Sequence, residues 1–124
     1  MSKELKSIFD QLKPILNKYE PPLTASHDFD SRYELWSEKE IELNGKKRDK
    51  VFFASIIIQS NYVGLYHMPY YADTEVRKNV KPELLKLLKG KSCFHIKNLD
   101  QKLLKQIKAT LENGFKVYKK REWI

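Results

Sequence analysis

Residues 51–58, Val51-Phe52-Phe53-Ala54-Ser55-Ile56-Ile57-Ile58, constrain the fold of this chain more than any other segment. The run is apolar at odd and even positions alike and rich in β-branched and aromatic side chains, which predicts a central strand covered on both faces. Turn signals bracket it. Asn44-Gly45 suits the two positive-φ positions of a tight hairpin, and Ser60-Asn61 marks a second short turn. Tyr62–Met68 then pairs back and Pro69 ends that strand, so an antiparallel meander is expected.

The flanks add helices. Leu5, Ile8, Phe9, Leu12, Ile15 and Leu16 recur at helical spacing between Ser2 and Tyr19, with Pro14 inside and Glu20-Pro21-Pro22 as the stop. From His27 to Leu43 the pattern is period two: Phe29, Tyr33, Leu35, Ile41 and Leu43 are odd, and the even positions are charged or carry Trp36. That predicts strand with the odd face inward, bending near Ser37-Glu38-Lys39. Pro82 opens a short helix through Lys89 that Gly90 closes, Cys93–Lys97 is a short strand, and Asp100 to about Arg121 is an amphipathic helix with Gly114 inside it. A glycine there implies a close neighbour or a bend. The expected fold is α+β: a single domain over residues 1–124, with an antiparallel sheet of about five strands flanked by an N-terminal helix and C-terminal helices.

Composition sets the class. Hydrophobic residues make up 41% of 124, with 6 Phe, 7 Tyr and 2 Trp, so a packed core outweighs the 32% of charged residues. No apolar run approaches the ~20 residues of a membrane span, and Met1-Ser2-Lys3-Glu4 has no signal-like apolar stretch. A cytoplasmic protein without membrane association is expected. Cys93 is the only cysteine, which excludes an intrachain disulfide and a thiolate metal cluster. The net charge of +8 arises entirely in residues 81–124, where twelve Lys and Arg face Glu83, Asp100, Glu112 and Glu122.

Four groups of residues carry possible chemistry. Cys93 and His95 share one side of a strand and His67 is a candidate third member, whether for metal or nucleophilic chemistry; the plain alternative is a buried cysteine in the core. Asp28, Asp30, Glu34, Glu38, Glu40 and Glu42 form an acidic even face, suited to a hard cation or simply to keeping a sheet edge soluble. Lys102, Lys105, Lys108, Lys116, Lys119 and Lys120 form a basic helix face, either solvated or set against phosphates. Tyr62, Tyr66, Met68, Tyr70 and Tyr71, with Trp36, can line an apolar pocket or pack under the helices. Gly90-Lys91-Ser92 is not a phosphate loop, because Leu85 stands where the first glycine is required.

Gly64-Leu65-Tyr66-His67-Met68-Pro69, then Gly90-Lys91-Ser92-Cys93-Phe94 with Leu99-Asp100 downstream, then Gly114-Phe115 with Tyr118 and Trp123-Ile124, resemble the YdhG-like family, a bacterial domain of unknown function. The resemblance runs from the central strand to the C-terminus. It implies an α+β fold with an antiparallel sheet between terminal helices. Some relatives are described as frataxin-like iron chaperones for iron–sulfur cluster or haem assembly, so it also implies iron handling as an alternative. The first helix departs from the acidic ridge of frataxin, with Lys3, Lys6, Lys13 and Lys18 against Glu4, Asp10 and Glu20.

The expected function is that of a non-enzymatic binding or accessory protein without a cofactor, whose ligand or protein partner meets Tyr62, Tyr66, His67 and Tyr70 and the segment Lys91, Ser92, Cys93 and His95. Two alternatives stand beside it: an iron-binding chaperone using Asp28, Asp30, Glu34, Glu38, Glu40 and Glu42, and a nucleic-acid accessory protein using the basic C-terminal helix.

Overall fold

A computed structural model describes residues 3–43 and 45–124 of the chain. Helix α1 (Lys3–Asn17) leads into strands β1 (Thr24–Phe29), β2 (Arg32–Ser37), β3 (Ile41–Leu43), β4 (Lys46–Arg48), β5 (Val51–Ile58) and β6 (Val63–His67). Three short helices follow, α2 (Met68–Ala72), α3 (Thr74–Asn79) and α4 (Pro82–Leu85), then β7 (Leu88–Lys89), β8 (Cys93–Ile96) and the long α5 (Gln101–Lys120). The architecture is α+β. Six strands in the order β1-β2-β5-β6-β8-β7 make an antiparallel sheet, one more than the sequence suggests, and β3 and β4 form a separate ribbon. Among the described residues, no helix is long and apolar enough to cross a membrane.

Directly opposed residues of an antiparallel pair point to the same face, so the registers divide the sheet. One face carries the rows Ile58–Val63–Ile96, Tyr33–Ile56–Leu65–Phe94 and Leu35–Ala54–His67. These residues are buried, Ile58 only in part, against Leu5, Ile8, Phe9, Leu12 and Leu16 of α1 and Leu103, Ile107, Leu111 and Tyr118 of α5. Each large apolar side chain fully removed from water here contributes on the order of 1.5–3 kcal/mol, which is why the two long helices commit to this face. Among the described residues, α1 and α5 leave the opposite face uncovered.

Several expectations need correction. The odd residues of 27–43 do not form one inward face: the chain reverses at Asp30-Ser31 to make the β1–β2 hairpin, and Phe29 is 59% exposed. β5 is central but open on one side, where Phe52 and Ile57 are only partly buried. Gly90 does not cap a helix. Helix α4 ends at Leu85, and Gly90, at φ +73°, lies in the turn between β7 and β8. Segment 74–79, unassigned from sequence, is helical because Asp73 accepts from the amides of Glu75 and Val76 at its start. The expected Asn44-Gly45 turn is bridged by the pairing of β3 with β4, with Gly45 at φ +78°; Asn44 and the Leu43 side chain lie outside what is described.

Candidate functional site

The uncovered sheet face is built from three cross-strand rows. The first is His27–Glu34–Ser55–Tyr66–Cys93–Lys89, the second Phe29–Arg32–Ile57–Gly64–His95, and the third Thr24–Trp36–Phe52. A bulge sets the third row. Between Leu35 and Trp36 the β2 register jumps from Ala54 to Phe52, so Phe53 and Ala54 both enter the core and Phe52 emerges opposite Trp36, ring centroids 5.2 Å apart. The result is an open groove of about 360 Å³ between Trp36, Phe52, Ile57, Tyr66 and Met68, floored by Arg32, Glu34 and Ser55.

The two charged groups of the floor partner each other. Glu34 accepts from Arg32 Nη2 at 2.7 Å and Nε at 3.1 Å, and from the Trp36 indole N–H at 2.8 Å. Burial pushes its carboxyl pKa up, but these hydrogen bonds and the nearby Arg32 and His27 charges hold it below the usual range. The Trp36 ring is thereby fixed. Lys50 Nζ stands 4.6 Å from that ring and forms no ion pair among the described residues, leaving a cation beside the Trp36 indole. A Cβ at Gly64 in the second row would lie 3.0 Å from the Tyr66 ring, which leans across the gap.

The tyrosine and Lys91–His95 groups divide between faces. Tyr66, Cys93 and His95 share the open face, and Tyr62 stacks on His95 at 3.7 Å and 9°. Tyr70 is buried edge-on to Phe94. Lys91 is exposed, 5.7 Å from the Tyr71 ring, and the Ser92 carbonyl accepts from the His67 amide. His67 lies fully buried on the covered face, its Nε2–H donating to the Thr110 carbonyl at 3.2 Å. A Cys93–His95–His67 site is therefore corrected: residue 67 pairs with Ala54 and points through the sheet from the other two.

Cys93 is half-buried on the open face, and burial pushes its thiol pKa up despite an opposing hydrogen bond from Tyr66. It is not fully core, and its thiol is biased to the neutral form. The six carboxylates are also dispersed. Asp28 pairs with Lys13, Asp30 sits in the hairpin turn, Glu34 is consumed by Arg32, Glu38 and Glu40 are in a connection, and Glu42 is on the separate ribbon. Among the described residues no three His, Cys, Asp or Glu side chains are grouped to hold a metal ion. Sequence periodicity missed Phe52, Ile57, Lys50 and Arg32 as groove residues; the doubly apolar parity of β5 was the signal that could have found two of them.

The arrangement defines an α+β protein with an antiparallel sheet that is helix-covered on one face and aromatic on the other. No protein-family model, curated protein or solved structure matches this chain.

Proposed function

We propose that this chain is a non-enzymatic, cytoplasmic binding module of the YdhG-like family that takes a small aromatic acid on its open sheet face. The flat apolar part lies against Trp36, Phe52 and Tyr66, and the acidic group turns toward Lys50. One observation carries the reading: a central strand apolar on both parities has helices on one side only, so Phe52 and Ile57 keep water-facing apolar surface beside an oriented indole. Arg32, Glu34 and the Trp36 indole partner one another, which leaves ring packing, the Ser55 hydroxyl and the Lys50 ammonium as the recognition chemistry. The absence of catalysis is argued from Cys93 and His67 standing on opposite faces, and from a thiol biased to its neutral form.

The test uses anilinonaphthalene sulfonate, a flat ring system with an acidic group, followed through the Trp36 indole N–H resonance. Saturable enhancement of the probe's fluorescence, with movement of that resonance in the parent, is the expected result, and the affinity read by fluorescence should weaken about fivefold or more in Trp36→Ala and in Lys50→Gln. An unmoved indole, or undiminished binding by Trp36→Ala, sinks the reading. A parallel arm with a short single-stranded oligonucleotide reports on the basic face of α5, where Lys102, Lys105, Lys108, Lys116, Lys119 and Lys120 are exposed. Binding confined to that arm, falling steeply with salt, would transfer the function to nucleic acid.

A further inference from the structure

A second cavity lies at the other end of the sheet, where α4, the β7–β8 hairpin and the start of α5 meet. It measures about 420 Å³ and is lined by Lys86, Lys89 and Lys97, with His95 at its wall and Leu87 and Leu103 as its apolar base. The three lysines come from three different places: the turn after α4, the edge strand β7, and the residue following β8. Like charges gathered around one hollow repel, and ion pairing normally relieves that repulsion. Here it does not. None of the three lysines has an ion-pair partner among the described residues.

Glu83 and Asp100 also line the cavity, and both carboxylates are engaged by other groups. Glu83 Oε1 accepts from the Gln106 side-chain amide and its Oε2 lies 3.6 Å from Lys102 Nζ. Asp100 Oδ1 accepts from the Leu103 amide as the N-cap of α5. With three ammonium groups against two carboxylates in the lining, the cavity keeps a positive excess. His95 registers that field: partial burial, then the charges of Lys89 and Lys97, lower its imidazole pKa. Its ring is held in place by the Tyr62 stack, and the lowered pKa favours the neutral form, able to give one hydrogen bond.

We propose that this cavity is a binding site for a small organic phosphate, with the phosphate held by Lys86, Lys89 and Lys97 and the carbon skeleton resting on Leu87 and Leu103. The chemistry follows from the lining: three ammonium groups match the several oxygens of a phosphate ester, and a concave apolar base admits a small molecule where a flat basic surface would suit a polymer. The site is independent of the aromatic groove, because the groove shares none of its lining residues.

The experiment follows the His95 ring protons by NMR during titration with ribose phosphate and with inorganic pyrophosphate, using ribose as the uncharged control. Both anions should bind saturably and raise the His95 pKa, while ribose leaves it unmoved and the Trp36 indole resonance stays in place. The double variant Lys89→Gln/Lys97→Gln should weaken binding by roughly tenfold or more with an unchanged thermal midpoint. In the unliganded double variant, the His95 pKa should rise, which checks the field separately from any ligand. No response of His95 to either anion would overturn the proposal, as would equal affinity in the double variant. Binding only of a single-stranded oligonucleotide, with shifts spread along α5, would also overturn it in favour of a polymer surface.

Discussion

Gly114 of α5 and His67 of β6 share a space that admits only one side chain: a Cβ on residue 114 would lie 2.5 Å from His67 Cε1 and 2.8 Å from Pro69 Cβ. The imidazole occupies the volume a side chain would have filled, and this lets the long helix sit directly on the end of the strand. Of the two explanations the sequence left for a mid-helix glycine, close approach is the one realised.

Gly114→Ala should therefore destabilise the protein by about 1–3 kcal/mol through overpacking, although alanine favours the helix by about 1 kcal/mol. Urea denaturation of the two proteins checks this. A variant as stable as the parent would mean that α5 can lift away from His67 without loss.

His67 makes stability depend on pH. Complete burial lowers its pKa from 6.5 to about 3, and its Nδ1 has no hydrogen-bond partner among the described residues. Its folded-state value lies below the unfolded one, so the unfolded chain takes up the proton first as pH falls. Stability is full above pH 6.5 and is lost down to about pH 3, by about 1.4 kcal/mol per unit for this group. Urea midpoints measured across that range should fall more steeply for the parent than for His67→Gln. Parallel curves would show that the imidazole titrates normally.

Asp73 joins two helices with one carboxylate. Its Oδ1 accepts from the amides of Glu75 and Val76 at 2.8 and 3.2 Å, while Oδ2 accepts from Arg121 Nη2 at 2.7 Å. Asp73→Ala should cost about 1–2 kcal/mol, mostly the lost cap, and Asp73→Asn a smaller part because an amide oxygen still caps. Equal losses for the two variants in thermal denaturation would instead assign the stability to the Arg121 pair.

Tyr66 and Cys93 are paired across β6 and β8 on the open face. Burial raises the thiol pKa, and the Tyr66 hydrogen bond partly opposes this by favouring the thiolate. Reaction with a disulfide reagent should be slower than for free cysteine at neutral pH and should accelerate at higher pH than usual. Tyr66→Phe should move that acceleration higher still. A downward move would mean that the phenol does not serve the thiolate.

The elements were largely legible because each rests on local chemistry. Residues 51–58 are strand because they are β-branched and aromatic between turns; α5 starts at Asp100 because its carboxylate takes the Leu103 amide; Pro69 and Pro82 sit in the first turns of α2 and α4. The alternation of 27–43 marks the strands β1, β2 and β3 but not their faces, since parity does not record the reversal at Asp30-Ser31. The same limit placed His67 beside Cys93 and His95, when only the pairing of Ala54 with His67 and of Tyr66 with Cys93 separates them.

Sequence by itself determined the α+β class, the antiparallel meander and the charge asymmetry of the last third, because propensity, periodicity and composition act within a few residues. Tertiary structure alone decided which sheet face stays open, since α1 and α5 can bury their apolar stripes against only one side of β5. It also decided which residues meet. A bulge at Phe53 brings Phe52 to Trp36, and chain reversals gather Lys86, Lys89 and Lys97 around one hollow. Those contacts depend on register and on long-range packing, which no local pattern of residues encodes.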